Sequence, residues 1–186
     1  DLSKIEISQS EKKRGVKFPT SLSEDLAEFI GIVIGDGHVF QRSSLNSKGH
    51  VIIRSGVSIS CNKNEELYIN HIIRLFFDLF GVPIKYYVDK RSQTVALIYG
   101  SLGIVQFLHK FCEIPLNKKT EIAFIPTIIK NSNNIIKCCF LRGLADTDFS
   151  VVFQNRTGKG HNYPVIKGRF KSKILVQDLE ELFVNL

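Results

Sequence analysis

The sequence predicts an α+β fold built from tandem αββαββα repeats related by a pseudo-twofold, the second repeat being short at its C-terminal end. Three observations lead there. Hydrophobic residues alternate along the chain between the helical and the strand period. The order of elements restarts after residue 134. The two copies also align residue to residue: Phe29–Gly37 lies over Leu141–Phe149, and Leu75–Leu79 over Leu182–Leu186.

Residues 1–20 are polar and basic, with the run Glu11–Lys12–Lys13–Arg14, and read as a solvated arm. The first repeat spans 21–118. Ser21 and Glu24 stand three apart, as a capping box requires, and open a helix from Leu22 to Gly35. His38–Arg42 and Val51–Ser60 alternate as two strands around the polar loop Ser43–His50. A second amphipathic helix over Glu65–Phe80 ends at Gly81 as a C-cap. Lys85–Val88 and Thr94–Tyr99 form a second hairpin, and Leu102–Phe111 a third helix. A linker covers 119–134.

The second repeat spans 135–186. Asn133 or Asn134 caps a helix from Ile135 to Thr147. Strands follow at Phe149–Gln154 and Pro164–Lys171, then a helix from Lys173 to Leu186. By the alignment, the first copy continues for roughly 35 residues past the point matched by Leu186, to about Pro115. Either the chain is truncated, the sequence is incomplete at that end, or the protein has lost those elements. The chain begins at Asp1 and contains no Met, which points to a processed or trimmed start.

The composition narrows the function classes. The chain has 186 residues, 44% of them hydrophobic, enough for one domain or two small ones sharing a core. Its apolar runs are short and broken by charge or glycine, so no transmembrane span is expected. The net charge of +7 points to a polyanionic partner. Cys61, Cys112, Cys138 and Cys139 make no CxxC pair, so free thiols in an intracellular reducing compartment are expected rather than zinc. His38, His50 and His161 have no ligand spacing.

Each repeat sets one helix directly before one acid: Gly31–Asp36–Gly37 in the first, Gly143–Asp148–Phe149 in the second. Glycine inside a helix costs roughly 1 kcal/mol against alanine and is tolerated where another backbone comes close. The two helices can therefore pack face to face through Gly31 and Gly143, bringing Asp36 and Asp148 together. A helix C-terminus already carries partial negative charge, so two carboxylates there call for cations. Hard divalent ions prefer carboxylate and carbonyl oxygen, and the carbonyls of Gly35 and Thr147 are natural further ligands. Two such ions can serve phosphodiester hydrolysis.

The stretches Phe29-Ile-Gly-Ile-Val-Ile-Gly-Asp-Gly37 and Leu141-Arg-Gly-Leu-Ala-Asp-Thr-Asp-Phe149 resemble the two motifs of single-chain LAGLIDADG homing endonucleases, in the form seen in archaeal introns and inteins. The resemblance covers residue 20 to the end. It implies a DNA-binding saddle whose sheets lie in the major groove, with the motif helices between the halves. It implies a monomer (a dimer being the other arrangement left open) that cuts both strands of a long, partly asymmetric duplex site. Mg²⁺, or Mn²⁺ in its place, would be held by Asp36 and Asp148. The lysine or glutamine that the family places near each metal is matched by Asn62 and Lys63 in the first half and Lys171 in the second.

Polar residues on the hairpins are the candidate readers and phosphate holders: Gln41, Arg42, Lys48, Arg54, Lys90, Arg91 and Gln93, then Gln154, Arg156, Lys159, Lys167 and Arg169. Two departures favour an alternative, a non-cleaving nucleic-acid binder or an RNA-splicing maturase on the same scaffold. Phe149 stands where the family has glycine, and the second half is short. The chain has no nucleophile at its start and no terminal His-Asn, so protein splicing is not expected.

Overall fold

The computed structural model describes residues 5–88, 93–154 and 163–186. The elements are α1 (Gln9–Lys13), α2 (Glu24–Gly35), β1 (Gly37–Leu45), β2 (Val51–Asn62), α3 (Glu66–Phe80), β3 (Lys85–Val88), β4 (Thr94–Gly100) and α4 (Leu102–Lys110). They continue with α5 (Thr127–Lys130), α6 (Asn134–Asp148), β5 (Phe149–Gln154), β6 (Tyr163–Gly168) and α7 (Lys173–Val184). The first repeat is complete. The second consists of α6, β5, β6 and α7.

The centre of the molecule is the packing of α2 against α6. Both helices exclude side chains where they cross. A Cβ on Gly31 would overlap the Phe140 carbonyl oxygen and sit 2.8 Å from the Leu144 nitrogen. A Cβ on Gly143 would overlap the Glu28 carbonyl oxygen and sit 3.1 Å from the Ile32 nitrogen. The glycines remove the atoms that would hold the backbones apart.

In the first repeat the four strands lie in the order β1-β2-β4-β3, all antiparallel. In the second, β5 and β6 form a two-stranded sheet. The hairpins are equivalent in register: Gly37 faces Ile59 as Phe149 faces Gly168. Coverage is not equivalent. Val39 and Val57 face each other and are 1% and 0% exposed, in a sheet against which α4 packs. Their counterparts Val151 and Ile166 are 64% and 69% exposed. The core gathers in the first half, where Phe29, Phe76 and Phe80 lie ring against ring at 4.9–5.9 Å, within the range for favourable aromatic pairs.

Four expectations are corrected. The cap of α2 is Ser23 rather than Ser21, its hydroxyl accepting from Leu26 N at 3.2 Å. The first hairpin is longer than its alternation suggests, because Asn46 Oδ1 closes the turn by accepting from Lys48 N and His50 N, each at 2.9 Å. β6 stops at Gly168 instead of reaching Lys171. Phe170 turns inward against Phe149, ring centres 5.6 Å apart, and Ser172 caps α7.

The fourth correction is the arm. From residue 5 it is docked through Glu11, while Lys12, Lys13 and Arg14 of the basic run stay exposed. Ser8 and Glu11 form a capping box for α1, and Glu11 is only 2% exposed. Its carboxylate accepts from the Ser101 hydroxyl and from Gly103 N at 3.0 Å, at the N-terminus of α4. A helix N-terminus holds unpaired N–H groups and partial positive charge, so an acid placed there is stabilised. Gly81 closes α3 at φ +71, in the left-handed region that suits glycine.

Candidate metal and nucleic-acid site

The packing of α2 on α6 sets their C-terminal ends side by side. Asp36 is the C-cap of α2, and Asp148 is the last residue of α6. A Cβ on Gly35 would overlap the Thr147 hydroxyl and lie 3.1 Å from Asp148 Oδ2, so glycine permits this approach. The exits differ. Gly37 follows Asp36 where a Cβ would meet the Val33 backbone at 2.5 Å. Phe149 avoids that conflict because α6 runs one residue further, through Asp148, and Phe149 then leaves extended at φ −105, ψ 153.

Lys119 fills the junction. Its Nζ donates to the carbonyls of Val33 at 2.6 Å, Ile34 at 2.7 Å and Gly35. These are among the carbonyls a helix end leaves without partners, and the ammonium also meets the negative end of the dipole. Burial pulls the Lys119 ammonium down to about 8, against the opposing pull of Asp148 and then Asp36. Desolvation in the cleft, followed by the Asp148 charge, holds Asp36 above its ordinary range, although its surface opens to solvent. Asp148 is raised too, by burial against the opposing charge of Lys119.

Two clefts open on either side. One is lined by Asp36, Asn62, Glu65, Gln93, Asp146 and Thr147. The other is lined by Gly35, Lys119, Asp148, Arg169, Phe170 and Lys171. Each joins the acid of one repeat to the pre-acid residue of the other. Asn62 and Lys171 occupy matching positions, three residues beyond Ile59 and Gly168, which share a register. Lys63 lies apart, in a different cleft with Glu66 and Tyr86.

Among the described residues, no three Asp, Glu, His or Cys side chains converge as a ready metal cage. The donors present are carboxylate and carbonyl oxygens from two helices. That set suits Mg²⁺ or Mn²⁺, which keep several waters and take one or two carboxylates.

On the first sheet, His38, Phe40 and Arg42 share a face. The His38 and Phe40 rings stack at 5.8 Å, and the Arg42 guanidinium lies 5.8 Å from the Phe40 ring centre. Arg42 stands directly across from Arg54, both exposed. Like charges directly opposed on a sheet are destabilising unless an anion lies between them. Gln41 pairs with Ser55 on the opposite face, with the buried Val39 and Val57. Lys48 sits in the exposed hairpin turn, and Gln93 lies beside Asn62 in the Asp36 cleft. Gln154 and Lys167 are exposed on β5 and β6, while Arg169 lies in the Asp148 cleft. Lys90, Arg91, Arg156, Lys159 and His161 lie outside the described residues.

Sequence reasoning missed Lys119, which it assigned to the linker, and the acids Glu65 and Asp146. No period or motif distinguishes Lys119 from Lys118. Asp146 had a usable signal, as a third acid two residues before Asp148. The four cysteines are free thiols, and among the described residues no helix is long and apolar enough to cross a membrane.

No family model matches the sequence. An A-type ATP synthase protein of Pyrococcus abyssi is 29% identical over 118 residues, 62% of this chain. The match amounts to 10% of that protein, so the chain spans about a tenth of the length of this curated relative. Solved structures are similar over most of their length. I-DmoI in complex with DNA and Mn is matched over 89% of this chain and 79% of that one, with TM-score 0.59 and 18% identity. Meganuclease I-SmaMI bound to uncleaveable DNA is matched over 86% and 72%, with TM-score 0.56 and 15% identity. The I-LtrWI LAGLIDADG homing endonuclease bound to target DNA is matched over 87% and 72%, with TM-score 0.55 and 13% identity.

Proposed function

We propose that this chain, whose fold is that of the LAGLIDADG homing endonucleases, is a site-specific, divalent-metal-dependent endonuclease acting on double-stranded DNA. The observation that carries this reading is the meeting of Asp36 and Asp148 at the ends of two crossed helices, with Lys119 between them. Lys119 caps the end of α2, but two acids whose folded carboxyls are raised by burial do not stabilise the junction. They suit chemistry on a phosphodiester.

Asp36 and Asp148 would hold Mg²⁺ or Mn²⁺, with the Thr147 and Gly35 carbonyls as further oxygens. The bound cation would supply Lewis acidity and a more acidic water. The Gly35 carbonyl already accepts from Lys119, but a carbonyl has two lone pairs. With its ammonium drawn down to about 8, Lys119 is placed to exchange a proton near neutral pH. Asn62 and Lys171 would orient water or phosphate in their clefts. Arg42, Arg54, Lys48, Lys167 and the other basic hairpin residues would hold and read the duplex.

Asp36→Asn tests the reading on DNA ends mapped from a randomised duplex library with Mg²⁺ and with EDTA. Wild type is expected to give Mg²⁺-dependent cuts of fixed stagger at one long site, and the variant to bind that site without cutting. Phe149, standing where the first motif has Gly37, motivates a second reading, a non-cleaving binder or RNA-splicing maturase. Tight binding with no scission in either Mg²⁺ or Mn²⁺ would select it.

A further inference from the structure

The two clefts have the same plan but opposite charge. Around Asp36 stand Glu65 and Asp146, and no cationic side chain lines that cleft among the described residues. Around Asp148 stand Lys119, Arg169 and Lys171, and among the described residues no second carboxylate lines it. The Gly35 carbonyl on the Asp148 side accepts from Lys119. Asn62 on one side corresponds to Lys171 on the other, so even the matched position adds a positive charge only to the Asp148 cleft.

We infer that the two sites are unequal: the Asp36 cleft is the tight divalent-cation site and the Asp148 cleft the weak one. The inference rests on the endonuclease reading and deepens it. A divalent ion that keeps its waters still responds to carboxylates reached through them. Glu65 and Asp146 therefore add attraction without touching the metal. Arg169 and Lys171 repel a cation from the other cleft until a phosphate neutralises them, whereas Lys119, between the two acids, acts on both sites. The Asp148 site then fills mainly when DNA is bound, and the strand served by the Asp36 cleft is cut at lower Mg²⁺.

Mn²⁺ titration of the metal-free full chain without DNA, following free Mn²⁺ by electron paramagnetic resonance, tests this. One ion is expected to bind at least about tenfold more tightly than a second. Asp36→Asn should remove the tight ion, and Asp148→Asn should leave it. Glu65→Gln, at an exposed residue outside the core, should weaken the tight ion several-fold and leave the weak one alone. Two ions of equal affinity, or loss of the tight ion in Asp148→Asn, would overturn the inequality and leave the endonuclease reading standing. Absence of Mn²⁺ binding with and without target DNA would overturn both.

Discussion

The Lys119 ammonium donates to the Gly35 carbonyl, tying residue 119 to the end of the helix that presents Asp36. The contact is structural and electrostatic together. It caps three carbonyls of α2 and counters two carboxylates. Lys119→Met is expected to lose about 1–3 kcal/mol of stability in urea unfolding, through unpaired polar groups. Cleavage of the mapped target should fall by about a hundredfold or more, with binding retained. A fully active variant would remove Lys119 from the chemistry.

The crossing of α2 and α6 leaves no room for a methyl group. Gly31→Ala and Gly143→Ala should each destabilise the protein by about 1–3 kcal/mol, because backbones must move apart rather than side chains adjust. Gly49→Ala tests a different mechanism. Its Cβ would meet nothing within 4 Å, and any loss there reflects a φ of +77 alone. Denaturant midpoints separate the two, and equal losses at all three sites would contradict the crossing geometry.

Glu11 makes stability depend on acid pH. Burial alone would raise its carboxyl. Hydrogen bonds from the Ser101 and Ser8 hydroxyls and from backbone N–H groups of Ser8 and Gly103 outweigh burial and hold it at about 2, against 4.5 when unfolded. The folded state thus binds this proton less readily than the unfolded state. The stabilisation is present above 4.5 and is lost as pH falls from there toward 2. Glu11→Gln should be less stable than wild type at neutral pH, and the difference should shrink on acidification. Melting curves across that range decide it.

Asp36 has the opposite sign. Its folded carboxyl is raised above the ordinary 3.8 by desolvation and by Asp148, so its ionised form opposes folding of the metal-free protein. The penalty appears as pH rises through the unfolded value and is complete above the folded one. In EDTA at neutral pH, Asp36→Asn should melt a few degrees higher than wild type while being unable to cleave. A lower melting temperature would show that the ionised carboxylate helps hold the fold.

The hairpin faces separate binding from packing. Arg42→Ala and Arg54→Ala should each weaken duplex binding and lower the salt dependence of log K by about one phosphate's worth. Gln41→Ala, on the face shared with Val39 and Val57, should change affinity less. Fluorescence anisotropy at several salt concentrations reads both. A larger loss at Gln41 than at Arg42 would assign the wrong face to the nucleic acid.

Short-range pattern missed the short helices α1 and α5, which lie outside the repeats, but it was enough to establish the two repeats, the order of helices and strands within them, the glycine contacts and the two acids that end the motif helices. These are local or periodic properties. A helix period, a turn residue or a glycine inside an apolar stripe records its role within a few neighbours. The capping serine of α2 was misplaced by two residues, because Ser21 and Ser23 are both good caps and only backbone geometry separates them.

The remainder waited on contacts between distant parts of the chain. Lys119 reaches α2 across more than eighty residues, and Glu11 reaches the start of α4 across ninety. No short-range pattern encodes such contacts. The same holds for the charge of the two clefts. Each is assembled from both repeats, so the company kept by Asp36 and Asp148 exists only once α2 and α6 have crossed.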